Sequence, residues 1–95
     1  MKVYISGKIG DLPMDEVIKK FRDKELELLQ YGFDVVNPVT LPHNHDKTWF
    51  SYMIEDLQAL RDCTHICLLP CHTDSPGALI EKAFAKRMGL KIIDG

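Results

Sequence analysis

His65-Ile66-Cys67-Leu68-Leu69-Pro70, then Ser75-Pro76-Gly77-Ala78-Leu79-Ile80-Glu81, then Leu90-Lys91-Ile92-Ile93-Asp94 is the stretch that decides the fold. Its first run is short and apolar, and Pro70, which cannot donate to a ladder, stops it; it reads as a strand over about 65–69. Ser75 before Pro76 is a helix start, with the hydroxyl as N-cap and proline at the first helical position, where no N–H is needed. Leu90 to Asp94 reads as a closing strand. Upstream the same alternation repeats. Lys2 to Ser6 is a β-prone run ended by the Gly7 to Gly10 turn, and Pro13, Met14, Val17, Ile18, Phe21, Leu28 and Leu29 follow at helical spacing until Gly32. Residues 33–36 form a second strand, broken by Asn37-Pro38, and the polar run Pro42 to Asp46 reads as a loop. Trp49, Met53, Leu57 and Leu60 restore helical spacing. The order βαβαβαβ, with strands apolar throughout rather than alternating, predicts an α/β fold: a three-layer domain with four parallel strands and helices on both faces.

The chain has 95 residues, 45% of them hydrophobic, which suits one domain over residues 1–95 and excludes two cores. A domain this small buries roughly 60 to 65% of its unfolded surface, so association with a second copy is expected to help it. Twelve Lys and Arg against fourteen Asp and Glu leave a net charge of −2, too balanced for a dedicated binder of nucleic acid or of an anionic membrane. The N-terminal Met-Lys-Val-Tyr-Ile-Ser lacks the apolar core of a signal peptide, and the three cysteines include no CxxC pair. A cytoplasmic location with free thiols is expected.

Two carboxylates stand on apolar helix faces. The neighbours of Glu81 at helical spacing are Gly77, Ala78, Phe84, Ala85 and Met88, whereas Lys82, Lys86 and Arg87 fall largely elsewhere. An unpaired buried carboxylate is costly. Two readings remain open: Glu81 snorkels to the edge or satisfies a backbone amide, or it serves chemistry in the crevice where strand ends meet helix starts. Asp56 repeats the pattern among Trp49, Tyr52, Met53, Ala59 and Leu60. It either pairs with Arg61 or a surface Lys, or works beside an aromatic surface suited to a planar ring. Paired carboxylates are the machinery of glycosidic cleavage, one attacking the sugar and the other managing the leaving group's proton.

Other signals are weaker. Ser75-Pro76-Gly77-Ala78 is an ordinary N-cap or an anion site, since a helix start offers free N–H groups and the positive dipole end. Gly7-Lys8-Ile9-Gly10 is not the glycine pattern of a dinucleotide site. His43, His45, Asp46, Cys71 and His72 match no standard metal spacing, so no metal and no cofactor are expected. Cys63 and Cys67 read as small core residues.

With Tyr4-Ile5-Ser6-Gly7, Asn37-Pro38, Glu55-Asp56-Leu57 and Ser75-Pro76-Gly77-Ala78 followed by Glu81, the chain resembles the nucleoside 2-deoxyribosyltransferase superfamily over nearly its whole length. It is most similar to the small DUF4406-like branch, and the resemblance implies a flavodoxin-like sandwich assembled as homodimers or larger. It further implies that Glu81 is the nucleophile on the sugar C1′, that Asp56 handles the base or its proton, and that Tyr4 positions Glu81 or the sugar. The transferases carry Asp where Ser75 stands; Ser75 is similar instead to the 2′-deoxynucleoside 5′-monophosphate N-hydrolases, where it meets the phosphate. Lys8 stands in the turn where those hydrolases have Arg, Cys71-His72 replaces the usual Gly-Trp of the small branch, and the transferases' C-terminal segment has no counterpart before Gly95. The expected reaction is cleavage of the N-glycosidic bond of a (deoxy)nucleoside 5′-monophosphate through a covalent glycosyl-glutamate. Deoxyribosyl transfer between bases and non-catalytic nucleotide binding are the alternatives. Glu81, Asp56 and Tyr4 form the expected catalytic set; Gly7, Lys8, Ile9, Asn37, Trp49, Ser75 and Gly77 form the expected substrate-contacting set, for a small-molecule nucleotide or nucleoside.

Overall fold

Alternation along the first strand, β1 (Lys2–Ser6), divides the core in two. Val3 and Ile5 pack on one side with Val17, Phe21 and Leu28 of α1 (Met14–Gln30), while Tyr4 packs on the other with Leu60 and Ala85. Leu60 belongs to α2 (Trp49–Arg61) and Ala85 to α3 (Pro76–Met88). One helix therefore covers one face of the sheet and two cover the other. The remaining strands are β2 (Asp34–Val36), β3 (His65–Leu68) and β4 (Lys91–Asp94). This computed structural model describes residues 1–10, 12–40 and 49–95. The run Pro42 to Asp46, read from sequence as a loop, lies outside the described residues.

The sheet order is β2-β1-β3-β4 with every pairing parallel: the three layers follow from the element order, and the arrangement is the flavodoxin-like one that the family resemblance implies. Tyr4 lies beside Ile66 and Ser6 beside Leu68, while Cys67 lies beside Ile93. Buried on both faces, β1 and β3 are the two strands whose apolar character is continuous, and β3 is buried at all four positions. Leu69, expected in β3, falls just outside it, although its N–H still donates to the Ser6 carbonyl at 2.9 Å. The chain reverses out of α3 through Gly89, whose φ of 79° only glycine adopts without strain, and the N–H groups of Gly89 and Leu90 close on the Lys86 and Ala85 carbonyls. That turn takes Leu90 out of β4.

One element has no signal in the hydropathy pattern: a 3-10 helix at Pro70–Asp74 between β3 and α3. Five polar or small residues carry no period to read, and the turn forms because Pro70 and the following N-cap shorten the path from strand to helix. Cys63 and Cys67 are buried on opposite faces, as small core residues. All three cysteines are unpaired. Among the described residues no helix is long and apolar enough to cross a membrane.

Candidate active site

Ser75 caps α3 as its sequence suggests, its Oγ accepting the Ala78 N–H at 3.2 Å. One and a half turns further along, Glu81 leans back over the sheet and is 5% exposed. It meets the side of β1 that carries Tyr4 and Ser6. The Tyr4 hydroxyl donates to Glu81 Oε2 at 2.6 Å, and the Ser6 hydroxyl donates to Oε1 at 2.7 Å. Both donors are fully buried. The carboxyl thus neither snorkels nor caps a backbone amide; two hydroxyls from one strand hold it, one on each oxygen.

Burial is the main influence on this carboxyl and raises its pKa to about 7, with the Tyr4 and Ser6 hydrogen bonds pulling down and the Asp56 charge adding to the rise. Tyr4 is pushed well above its ordinary value, first by burial and then by the charges of Glu81 and Asp56, so at neutral pH it remains a donor. Asp56, in α2, is also buried. Arg61, a candidate partner for Asp56 from sequence, is exposed and lies 3.8 Å from Asp62 instead.

Beyond the carboxyl ends of β1 and β3, where the strand order reverses, opens a cavity of about 660 Å³, within the range of small-molecule sites. Glu81 and Asp56 line it. So do Gly7, Lys8 and Ile9 from the turn after β1, Trp49 and Tyr52 from α2, and Ser75 and Gly77 at the start of α3. Tyr4 reaches the cavity through Glu81 rather than lining it. Lys8 is the basic residue among the described lining residues, facing three acids, Asp56, Asp74 and Glu81.

Space explains two glycines here. A Cβ on Gly7 would lie 2.8 Å from Leu69 Cδ1, so a side chain there would have to push the Leu69 side chain aside. A Cβ on Gly77 would lie 3.2 Å from Met53 Sδ and 4.0 Å from the Trp49 indole nitrogen, so the bare backbone there lets α2 close on the start of α3.

Asn37 was expected to contact substrate. It lies outside the cavity lining, because its amide nitrogen donates to Glu25 Oε1 at 3.1 Å and its amide oxygen accepts the Val39 N–H at 3.0 Å. Its work is to build the turn that presents Pro38 and Val39 to the cavity. Cys71 and His72 also lie outside the lining. Cys71 ties the Lys8 turn from behind: its sulfur accepts the Lys8 N–H at 3.3 Å and the Lys20 ammonium at 2.9 Å, and Lys20 also donates to the Lys8 carbonyl. Burial works against the Cys71 thiolate, yet these bonds and the Lys20 charge bring the thiol below its ordinary pKa. His43, His45 and Asp46 lie outside the described residues, and among those described no three His, Cys, Asp or Glu side chains are placed to hold a metal.

Sequence reasoning missed Ser6 as a partner of Glu81. Its signal was the period of two along β1, which puts Ser6 on the Tyr4 side.

Comparison with known proteins agrees with this architecture. No curated protein sequence matches the chain. Among four matching solved chains is the CMP N-glycosidase BcmB of Clostridium botulinum, 27% identical, with a TM-score of 0.65; the match covers 97% of this chain. The chain spans 66% of that protein's length. Over residues 1–94 it matches the family described as a domain of unknown function, DUF4406. With a buried glutamate under a crevice at the switch point of a parallel sheet, and that family match along almost its full length, the chain belongs to the DUF4406 family within the nucleoside 2-deoxyribosyltransferase superfamily.

Proposed function

We propose that this protein is an enzyme that cleaves the N-glycosidic bond of a (deoxy)nucleoside 5′-monophosphate. The observation that carries the reading is the Glu81 carboxyl, buried beneath a cavity of nucleotide size and held by hydroxyls on both oxygens. Glu81 attacks C1′ as the bond to the base breaks, Asp56 gives the departing base a proton, and water then frees the sugar from Glu81. Trp49 and Tyr52 offer ring faces to the base. Ser75, the Gly77 N–H and Lys8 take the phosphate at the positive end of α3. The similarity to a CMP N-glycosidase supports a nucleotide rather than a nucleoside substrate. Incubation with a panel of ribo- and deoxyribonucleotides and their nucleosides, followed for free base, tests it. Base is expected from at least one 5′-monophosphate, and binding without turnover across the panel overturns the reading. A second base added as acceptor is expected to yield no new nucleotide; its appearance makes the enzyme a transferase.

Nucleophilic attack needs the charged carboxylate, and Glu81 is half ionised at about pH 7. A carboxyl raised in this way is protonated and idle below its midpoint. The acid limb of base release at limiting substrate therefore has its midpoint near 7, where an ordinary glutamate would place it at about 4.3. A flat profile between pH 5 and 8 contradicts the assignment.

Trp49, Phe50, Ile54, Leu79 and Ile80 on α2 and α3 are exposed. An apolar surface of this kind on so small a chain suits a homodimer or larger assembly. Light scattering at micromolar concentration is expected to give at least twice the monomer mass; a monomer refutes this.

A further inference from the structure

Each oxygen of Glu81 has its own donor, and Ser6 serves one oxygen by itself. Resting on the glycosidase reading, we propose that Ser6 is a positioning residue that holds the resting carboxylate and speeds its release from the sugar.

The argument follows the charge. In the first step a Glu81 oxygen bonds to C1′ while the C1′–N bond breaks, its electron pair leaving with the base, which Asp56 protonates. Glu81 is then an ester, without net charge. In the second step a water oxygen bonds to C1′, its proton passes to Asp56, and the C1′–O bond to Glu81 breaks with its pair returning to the carboxylate. A hydroxyl donates strongly to a carboxylate and weakly to an ester. The Ser6 bond therefore strengthens as negative charge returns to Glu81, and an interaction stronger in the transition state than before it accelerates that step. In the first step the same bond favours the starting carboxylate, so its removal does not slow attack once Glu81 is ionised.

Geometry supports this use. Ser6 is wholly buried on β1, its neighbour at the sheet is Leu68, and its short side chain has Glu81 Oε1 in reach at 2.7 Å. Water does not replace the donor easily at so buried a place. Among the described residues, the ionisable groups near Glu81 are Tyr4 from β1 and Asp56 from α2, with Lys8, Tyr52 and Asp74 also on the cavity. Tyr4 and Asp56 act on Glu81 in opposite senses, and neither touches Oε1, so the effect of Ser6 is separable from theirs.

Ser6→Ala and Ser6→Cys, the second keeping bulk while donating weakly, test the proposal in single turnovers about two pH units above the wild-type midpoint. Base release in the first turnover is expected to stay within about twofold of wild type, while loss of the sugar adduct, followed by intact-protein mass spectrometry, slows about tenfold in Ser6→Ala and less in Ser6→Cys. In the ligand-free protein the Glu81 carboxyl, followed by carbon-13 NMR, is expected to titrate about one unit higher in Ser6→Ala, a tenfold change in its ionisation constant. Equal slowing of both steps, or no accumulation of adduct, overturns the role in release. An unmoved carboxyl midpoint overturns the hold on Glu81 whatever the activity. A wild type that releases no base from any nucleotide overturns the glycosidase reading and the release step with it, leaving the NMR result to decide the hold alone.

Discussion

Glu81→Gln is expected to lower base release on the order of a thousandfold or more while leaving the fold and nucleotide affinity in place. The amide keeps the shape of the side chain and removes the charge that attacks C1′. Its hydrogen bonds survive in altered form. The Tyr4 hydroxyl still donates to the amide oxygen, and Ser6, whose hydroxyl accepts as readily as it donates, takes a bond from the amide nitrogen. Both hydroxyls keep a bond to the side chain, so thermal unfolding by circular dichroism should be unchanged or slightly improved above neutral pH, where the native carboxylate is disfavoured. Turnover near the wild-type rate, measured by chromatography of free base, removes Glu81 from the mechanism.

The second large effect concerns the phosphate. In Ser75→Ala, nucleotide affinity is expected to fall about ten- to a hundredfold and nucleoside affinity much less, since a charge-assisted hydrogen bond is worth roughly 1.5 to 3 kcal/mol. Ser75 Oγ accepts the Ala78 N–H, which leaves its own hydrogen to donate into the cavity that it lines. Pro76 has no N–H, and that of Gly77 joins the hydroxyl at the helix start. Asp74 lines the same cavity, so the incoming anion depends on these donors and on Lys8 against an unfavourable neighbour. The substitution also removes an N-cap and should cost ~1 kcal/mol of stability. Calorimetric titration with both ligand types separates the two roles. Equal losses for nucleotide and nucleoside would mean that Ser75 only caps the helix, and a larger loss for the nucleotide places the phosphate beside it.

Much of this was written in local spacing. Strand and helix identities follow from runs and periods a few residues long, which is why Lys2–Ser6 and the helix opened by Ser75-Pro76 were legible to within a residue. Glu81 and Asp56 were legible for the same reason: a charge on an apolar helix face is a local contradiction, and burial is the tertiary answer to it. The partners of that charge were beyond such reading. Ser6 and Glu81 are 75 positions apart, Tyr4 and Glu81 are 77 apart, and only the parallel register and the tilt of α3 over β1 bring them together. Asn37 stands outside the cavity lining, with its side chain engaged in its own turn and on Glu25. The bond of Lys20 to Cys71, which braces the Lys8 turn, joins a helix on one face to a turn at the sheet's end. Periodicity thus determined which residues are buried and which elements carry them. Only the packing of helix on sheet decided which hydroxyls meet the buried carboxylate, because hydrogen bonds between side chains need atoms within about 3 Å and no local rule places residues so far apart in sequence at that distance.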